Sequence, residues 1–202
     1  MSIDPIHMPP APAENQPCPA AFESLETLTL LAKRRSTKII HFAEPGPNEA
    51  QVDTLVRLAA RVPDHGKLGP WRFVVFDGEG RARGDAALSG AAPERGEHAA
   101  GFFQRAPTCV MVVSSVKPHP KIPDWEQTLS SAAACQTLLI AAHAMGFAGC
   151  WITEWPAYEP ASRAALGLTE NERIAGFVFL GTATQAPTER VRADYASRIS
   201  RF

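Results

Sequence analysis

Little in this sequence invites metal or nucleophile chemistry. It has four cysteines in 202 residues, Cys18, Cys109, Cys135 and Cys150, with no close pair among them. That spacing argues against a zinc site and a disulfide framework, and leaves reduced cysteines serving as small apolar side chains. There is no H-E-x-x-H or C-x-x-C for a metal, no G-x-S-x-G, and no cysteine beside a histidine in a recognisable nucleophile setting. A charge excess of either sign is also lacking: 20 Lys and Arg face 21 Asp and Glu, for a net charge of −1. A nucleic-acid partner or an anionic membrane surface calls for a clustered basic excess, so neither is expected. No apolar run approaches the roughly 20 residues that cross a bilayer. The first residues lack the basic-then-apolar order of a secretory signal, which makes the cytoplasm the expected compartment.

What is present is the composition of a globular protein, 45% hydrophobic and 20% charged, long enough to bury a real core in one domain. Six of the 18 prolines fall in residues 1–20. Residues 1–21 show no hydrophobic period and are expected to form a disordered extension, with 22–202 as the domain. Phe22, Leu25, Leu28 and Leu31 recur at helical spacing and run into Lys33-Arg34-Arg35. Asn48 and Gln51 make a capping box for a helix whose apolar stripe is Val52, Leu55, Val56, Ala59 and Ala60, stopped by Pro63. Trp71 leads into a strand over 72–76, Gly78 and Gly80 suggest a turn, and 81–105 reads as two helical pieces. The unbroken apolar run Cys109–Val116 suits a strand buried on both faces. A long helix over 124–145 closes at Gly146, and its small side chains from Ser130 to Ala134 would let another helix approach closely. A strand at 147–152, a helix at 160–166 and a strand at 174–180 complete the chain. Strands and helices mix without a βαβ rhythm, so the class is α+β with one central sheet.

Two basic clusters carry the chemistry. Arg34-Arg35-Ser36 places two guanidinium groups and a hydroxyl at the end of the first helix. Arg61 and His65 flank Val62-Pro63-Asp64 after the second, with Lys67 close by. Arginine offers planar forked donors that match phosphate oxygens, and serine adds a short neutral donor, so a phosphorylated ligand is indicated. Cations in a last helical turn also suit the helix dipole, which is the plainer account of an isolated Arg-Arg pair. A third signal, Gly78-x-Gly80-x-x-x-Gly84 after a strand, resembles a dinucleotide-binding turn. Its spacing is wrong and no acidic residue follows at the required distance, so it reads as structural.

Four segments then fall in register. They are Arg34-Arg35-Ser36, the block from Arg61 to Phe73, Lys121-Ile122-Pro123-Asp124-Trp125-Glu126-Gln127, and Met145-Gly146-Phe147-Ala148-Gly149-Cys150-Trp151. Together they resemble the FMN-dependent nitroreductase family, in its short YdjA-like branch, from about Leu25 to Leu180. The resemblance implies a nitroreductase-like α+β fold, a mostly antiparallel sheet flanked by helices, in an intertwined homodimer with FMN at the subunit interface. It implies that Arg34, Arg35 and Ser36 hold the flavin's phosphate and ring edge. Arg61 and His65 would reach the flavin of the partner subunit, and Trp151, Ile152 and Thr153 would lie along the isoalloxazine. A C-terminal arginine on the phosphate is also implied, with Arg190 and Arg192 both candidates. The branch has Trp-Arg-Ser where this chain has Trp151-Ile152-Thr153, so the tuning of the flavin and the reception of an anionic nucleotide are open at this point.

The function so implied is an NAD(P)H oxidoreductase. Hydride passes through flavin N5 to a nitroaromatic, a quinone or a similar acceptor in ping-pong fashion, with no side chain required as acid or base. The Ile152 departure leaves room for a flavin-binding sensor or carrier without NAD(P)H turnover, or for another flavin chemistry on the same scaffold.

Overall fold

The strands Thr108–Ser115 and Glu172–Ala183 organise a computed structural model that describes residues 10–202. In chain order the elements are α1 (Leu25–Lys33), β1 (Phe42–Ala43), α2 (Glu49–Ala59), β2 (Trp71–Phe76), α3 (Gly78–Ala91), α4 (Glu97–Ala100), β3 (Thr108–Ser115), α5 (Asp124–Ala144), β4 (Ala148–Ile152), α6 (Pro160–Ala165) and β5 (Glu172–Ala183). The sheet runs β1-β5-β3-β2, and β4 joins β5 on the same side as β1. Every pairing among the described residues is antiparallel.

Side chains alternate along the two central strands and feed two cores. Val110, Val112, Val178 and Leu180 pack with Leu55, Ala59, Leu138, Ala142 and Phe147 beneath α2 and α5. Met111, Val113, Phe177 and Phe179 pack with Leu88, Phe102 and Phe103 on the other face. A sheet covered on both faces favours apolar residues on both, which is why β3 is apolar without a break from Cys109 to Val113.

The capping box of α2 forms as the sequence indicates: Gln51 N–H donates to Asn48 Oδ1 and Asn48 N–H to Gln51 Oε1, each at 2.9 Å. Gly146, at φ +84°, follows the C-cap of α5 in the conformation glycine adopts most easily. Two readings are corrected. Gly78 and Gly80 are the first turn of α3, and helix continues to Ala91. Gly84 fits there because Phe76 and Phe103 press on its Cα, where a Cβ would overlap both rings. α1 ends at Lys33, so Arg34 and Arg35 lie in the extended segment beyond it. The small residues of α5 do admit another helix: Leu55 and Ala59 of α2 pack with Ala134, and the Ser130 and Ser131 hydroxyls donate to the carbonyls of Pro63 and Pro70 at 2.7 and 3.0 Å. Part of the expected extension, residues 1–9, lies outside the described residues. Residues 10–23 form neither helix nor strand. No helix among the described residues is long and apolar enough to cross a membrane.

Candidate cofactor site

The segment after α1 is pinned at three points. Thr37 is buried and its N–H donates to the Gly149 carbonyl, 3.1 Å away, at the start of β4. The Arg35 carbonyl lies 3.0 Å from Nε2 of His143, in the last turn of α5. Arg35 Nε donates to the Thr188 carbonyl at 3.2 Å. These anchors leave residues 35–38 facing the C-terminal segment across a cavity of about 230 Å³, with Arg34 just outside its lining. Its walls include Arg35, Ser36, Lys38, His41, Thr188 and Arg190.

The electrostatics of this cavity call for an anion. Burial holds the Arg34 guanidinium below its ordinary value, and the neighbouring charges of Arg192 and Arg35 lower it further. Arg34 Nε is buried with no partner among the described residues. Its Nη2 reaches Ser36 Oγ at 3.5 Å. Among the described residues the carboxylate that enters is Glu189, whose Oε1 accepts from Arg190 N–H at 2.8 Å and Arg192 Nε at 3.1 Å, with Arg35 Nε 3.5 Å away. The backbone bond from Arg190, then the Arg192 side chain, hold that carboxyl below the usual range. Of the two C-terminal candidates, Arg190 lines the cavity, while the Arg192 guanidinium joins Arg34 and Arg35 in one cationic cluster. Lys38, His41, Glu189 and His143 were not singled out by the sequence. Their signal is a set of contacts that reach across the chain, as from Arg35 to Thr188.

The second cluster lies elsewhere. The Asp64 carboxylate accepts from Leu68 and Gly69 N–H at 3.0 and 2.9 Å and shapes the loop after α2. His65 projects from that loop, 69% exposed, with Nδ1 2.7 Å from Glu126 Oε2 in the first turn of α5. A carboxylate only accepts, so Nδ1 carries the proton and Nε2 is left for a ligand. Gln127 beside it is buried and clamps Lys117, accepting its N–H at 2.9 Å and donating to its carbonyl at 2.8 Å. Arg61 is exposed at the end of α2 and, with Arg57 and Leu58, lines a hollow against Pro10, Pro12, Cys18 and Pro19. Glu126 and His143 mark the two ends of α5. They are 17 residues apart, or about 26 Å along the helix. The chain therefore does not bring Arg61 and His65 together with Arg34, Arg35 and Ser36.

The third segment is the end of β4. Trp151 is committed to the fold: its indole N–H donates to the Ala175 carbonyl at 3.1 Å, and a Cβ on Gly176 would overlap the ring. Ile152 packs on the second core, opposite Trp151. That leaves the backbone and the Thr153 hydroxyl to meet a ligand, and Thr153 Oγ1 lies 2.8 Å from the Tyr158 hydroxyl.

Comparison with known proteins places this arrangement. The sequence profile of the Nitroreductase family matches residues 31–182. YdjA of Escherichia coli strain K12, provisionally named an NAD(P)H nitroreductase, is 37% identical over 169 residues, covering 78% of this chain and 88% of that protein. A Haemophilus influenzae protein provisionally given the same activity is 35% identical over 175 residues, covering 83% and 94%. Among solved structures, a nitroreductase-like family protein from Bacillus cereus superposes with a TM-score of 0.79 at 22% identity, covering 91% of this chain and 99% of that one. A Bacteroides fragilis nitroreductase with bound FMN gives 0.63 at 22% identity, covering 85% and 97%. The fold, and a family match that contains Arg34 to Ser36, Arg61, His65 and the whole of β4, agree: this chain belongs to the nitroreductase family.

Proposed function

We propose that this chain is an FMN-dependent NAD(P)H oxidoreductase of the cytoplasm, acting as a homodimer on a nitroaromatic, a quinone or a similar small acceptor. One observation carries the reading. Arg34, Arg35 and Arg192 form a cationic cluster with an orphaned buried guanidinium nitrogen, and Arg35 shares a cavity wall with Ser36 and Lys38. A phosphate monoester fits that donor set, because it supplies several acceptor oxygens and up to two negative charges where, among the described residues, Glu189 is the carboxylate on the cavity wall.

When bound, FMN supplies hydride chemistry at N5, accepting from NAD(P)H and giving to the acceptor in turn, hence ping-pong kinetics. Each residue set has its own task. Arg34, Arg35, Ser36 and Arg192 bind the phosphate. The end of β4 offers main-chain groups and the Thr153 hydroxyl along the ring. His65, oriented by Glu126, presents Nε2 outward with Arg61 nearby in sequence, for the site of the partner subunit. The length of α5 between the two clusters supports this cross-subunit assignment, since one chain cannot close both on one ligand group. The apolar stripe of α1 supports the dimer: Leu25, Leu28 and Leu31 are 76%, 64% and 47% exposed, an apolar face that needs a cover.

The test is the visible spectrum of the purified protein, recorded anaerobically before and after NADH and then NADPH. Flavin bands that bleach are the expected result. Flavin bands that persist with both donors, yet bleach with dithionite, move the assignment to a flavin-binding sensor or carrier, the reading that Ile152 favours by offering no charge to a nucleotide. A protein that takes up no flavin after FMN is added refutes both.

A further inference from the structure

We propose that Thr153 and Tyr158 form a hydroxyl wall that receives the oxygen of a neutral aromatic acceptor, a quinone carbonyl or a nitro group. This rests on the reading that the end of β4 lies along the flavin; the support for the wall itself is local. Thr153 Oγ1 and the Tyr158 hydroxyl are 2.8 Å apart, and Tyr158 is 68% exposed. Among the described residues, that contact is the one hydrogen bond the tyrosine hydroxyl makes. Packing alone does not hold so exposed a ring in place.

The chain between the two residues does. Glu154 stands at φ +52°, ψ −172°, a conformation that favours glycine and strains a larger residue. Arg105 grips its carboxylate with two parallel bonds of 2.7 and 2.9 Å, and the same guanidinium lies 4.3 Å from the ring centre of the buried Phe102. The single turn Trp155–Ala157 follows and returns Tyr158 onto Thr153. A strained residue, locked by a forked ion pair, thus ends in two hydroxyls placed together at the tip of β4. Two such groups hold two O–H protons; one bonds the other oxygen, and the second is left to donate.

Charge selects the acceptor class. Ile152 gives no cation, and the two guanidiniums that reach this turn are each paired with a carboxylate, Arg105 with Glu154 and Arg95, which lies over the Trp155 ring, with Glu159. A carboxylated or phosphorylated acceptor finds no counter-charge there. A neutral aromatic with a carbonyl or nitro oxygen finds a donor.

The test uses the flavin-loaded protein. Benzamide serves as a neutral carbonyl ligand that is not turned over and benzoate as its anionic counterpart, each titrated against the absorbance of the oxidised flavin. Benzamide is expected to bind several-fold more tightly than benzoate. Tyr158→Phe should weaken benzamide by about five- to tenfold, the loss of one hydrogen bond, and raise KM for 1,4-benzoquinone. Thr153→Val should do the same, and the double variant should lose less than the sum, because the hydroxyls act as a pair. Benzamide binding that is equal in wild type and both variants, or benzoate binding that is tighter, overturns the inference and leaves the oxidoreductase reading in place. A flavin that neither nucleotide reduces overturns that reading alone, since the benzamide titration needs only oxidised flavin. A chain that binds no flavin overturns both.

Discussion

His143 ties the last turn of α5 to the main chain of the Arg34–Ser36 segment: its Nε2 lies 3.0 Å from the Arg35 carbonyl, and its Nδ1 lies 2.7 Å from the Leu139 carbonyl. Carbonyls only accept, so the imidazolium form donates to both and the neutral ring to one. Replacing His143 with alanine should leave the sheet and both cores intact while loosening the segment that carries Arg34 and Arg35. FMN affinity should fall by about five- to tenfold, roughly 1 kcal/mol for one net hydrogen bond. Fluorescence titration of the flavin-free protein reads this directly, with near-UV circular dichroism as the control for folding. Unchanged affinity would show that Thr37 and Thr188 fix the segment without the histidine.

The arginines give the stronger test of the segment. Arg34→Ala or Arg35→Ala should weaken FMN by about 1.5–3 kcal/mol, the range for a charge-assisted bond. Riboflavin, which lacks the phosphate, should be nearly indifferent to either change. Equal losses for FMN and riboflavin would move the arginines off the phosphate.

Glu189 acts in the opposite sense. Its carboxylate occupies Arg192 and approaches Arg35, the cations a phosphate would use. Glu189→Gln keeps the side chain's size and removes the competing charge, so FMN should bind several-fold more tightly and with a steeper salt dependence. Weaker binding in the variant would make Glu189 a residue that orders the arginines and not one that competes for them.

Local rules were legible in the sequence and long-range ones were not. The Asn48–Gln51 box, the close of α5 at Gly146 and the doubly buried β3 each depend on residues within a few positions, and all three formed. The start of α3 was misread because two glycines disfavour helix in isolation, and the reason for Gly84 is an aromatic pair brought in by the fold. β1 has two residues, too short for any period, and exists because Phe42 and Ala43 pair with Ala183 and Thr182. The motif residues were visible, yet their division of labour was not. Asp64 and Gln127 shape loops, Trp151 is anchored to β5, and Glu126 and His143 contact residues far away in sequence, His65 and Arg35.

The exposed stripe of α1 predicts that the flavin and the dimer depend on each other. Leu28→Glu puts a charge in the middle of that stripe, where burying it against a partner is costly. Light scattering should show a monomer at concentrations where the wild type is dimeric. The same variant should lose flavin on gel filtration, because a ligand bound across an interface stabilises the assembly and is lost with it. A flavin-loaded monomer of undiminished affinity would place Arg61 and His65 outside the site.

The ion pair between Arg72 and Glu172 makes part of the fold's stability acid-sensitive. It spans β3, joining β2 to β5, with Arg72 Nε 2.7 Å from Oε1 and Nη2 2.8 Å from Oε2; Thr169 N–H adds a bond of 2.9 Å. The Arg72 side-chain bond, opposed by burial, brings the Glu172 carboxyl down to about 2. A carboxyl held below its unfolded value contributes stability that is complete above the unfolded pKa, near 4.3, and is lost as pH falls through the folded one. The contribution is therefore present at neutral pH, begins to fall near pH 5 and is gone only below about 2. Removing one partner of a buried pair leaves the other uncompensated, and Arg72 keeps some water contact, so Glu172→Ala should cost about 3 kcal/mol at pH 7. Urea melts of wild type and variant at a series of pH values isolate this pair from the other carboxylates, whose effects are common to both curves. The gap between the two should be widest at neutral pH and narrow steadily below pH 5. A gap that stays constant down to pH 2.5 would mean that Glu172 stabilises the fold through packing and its bond to Thr169, with no net contribution from its charge.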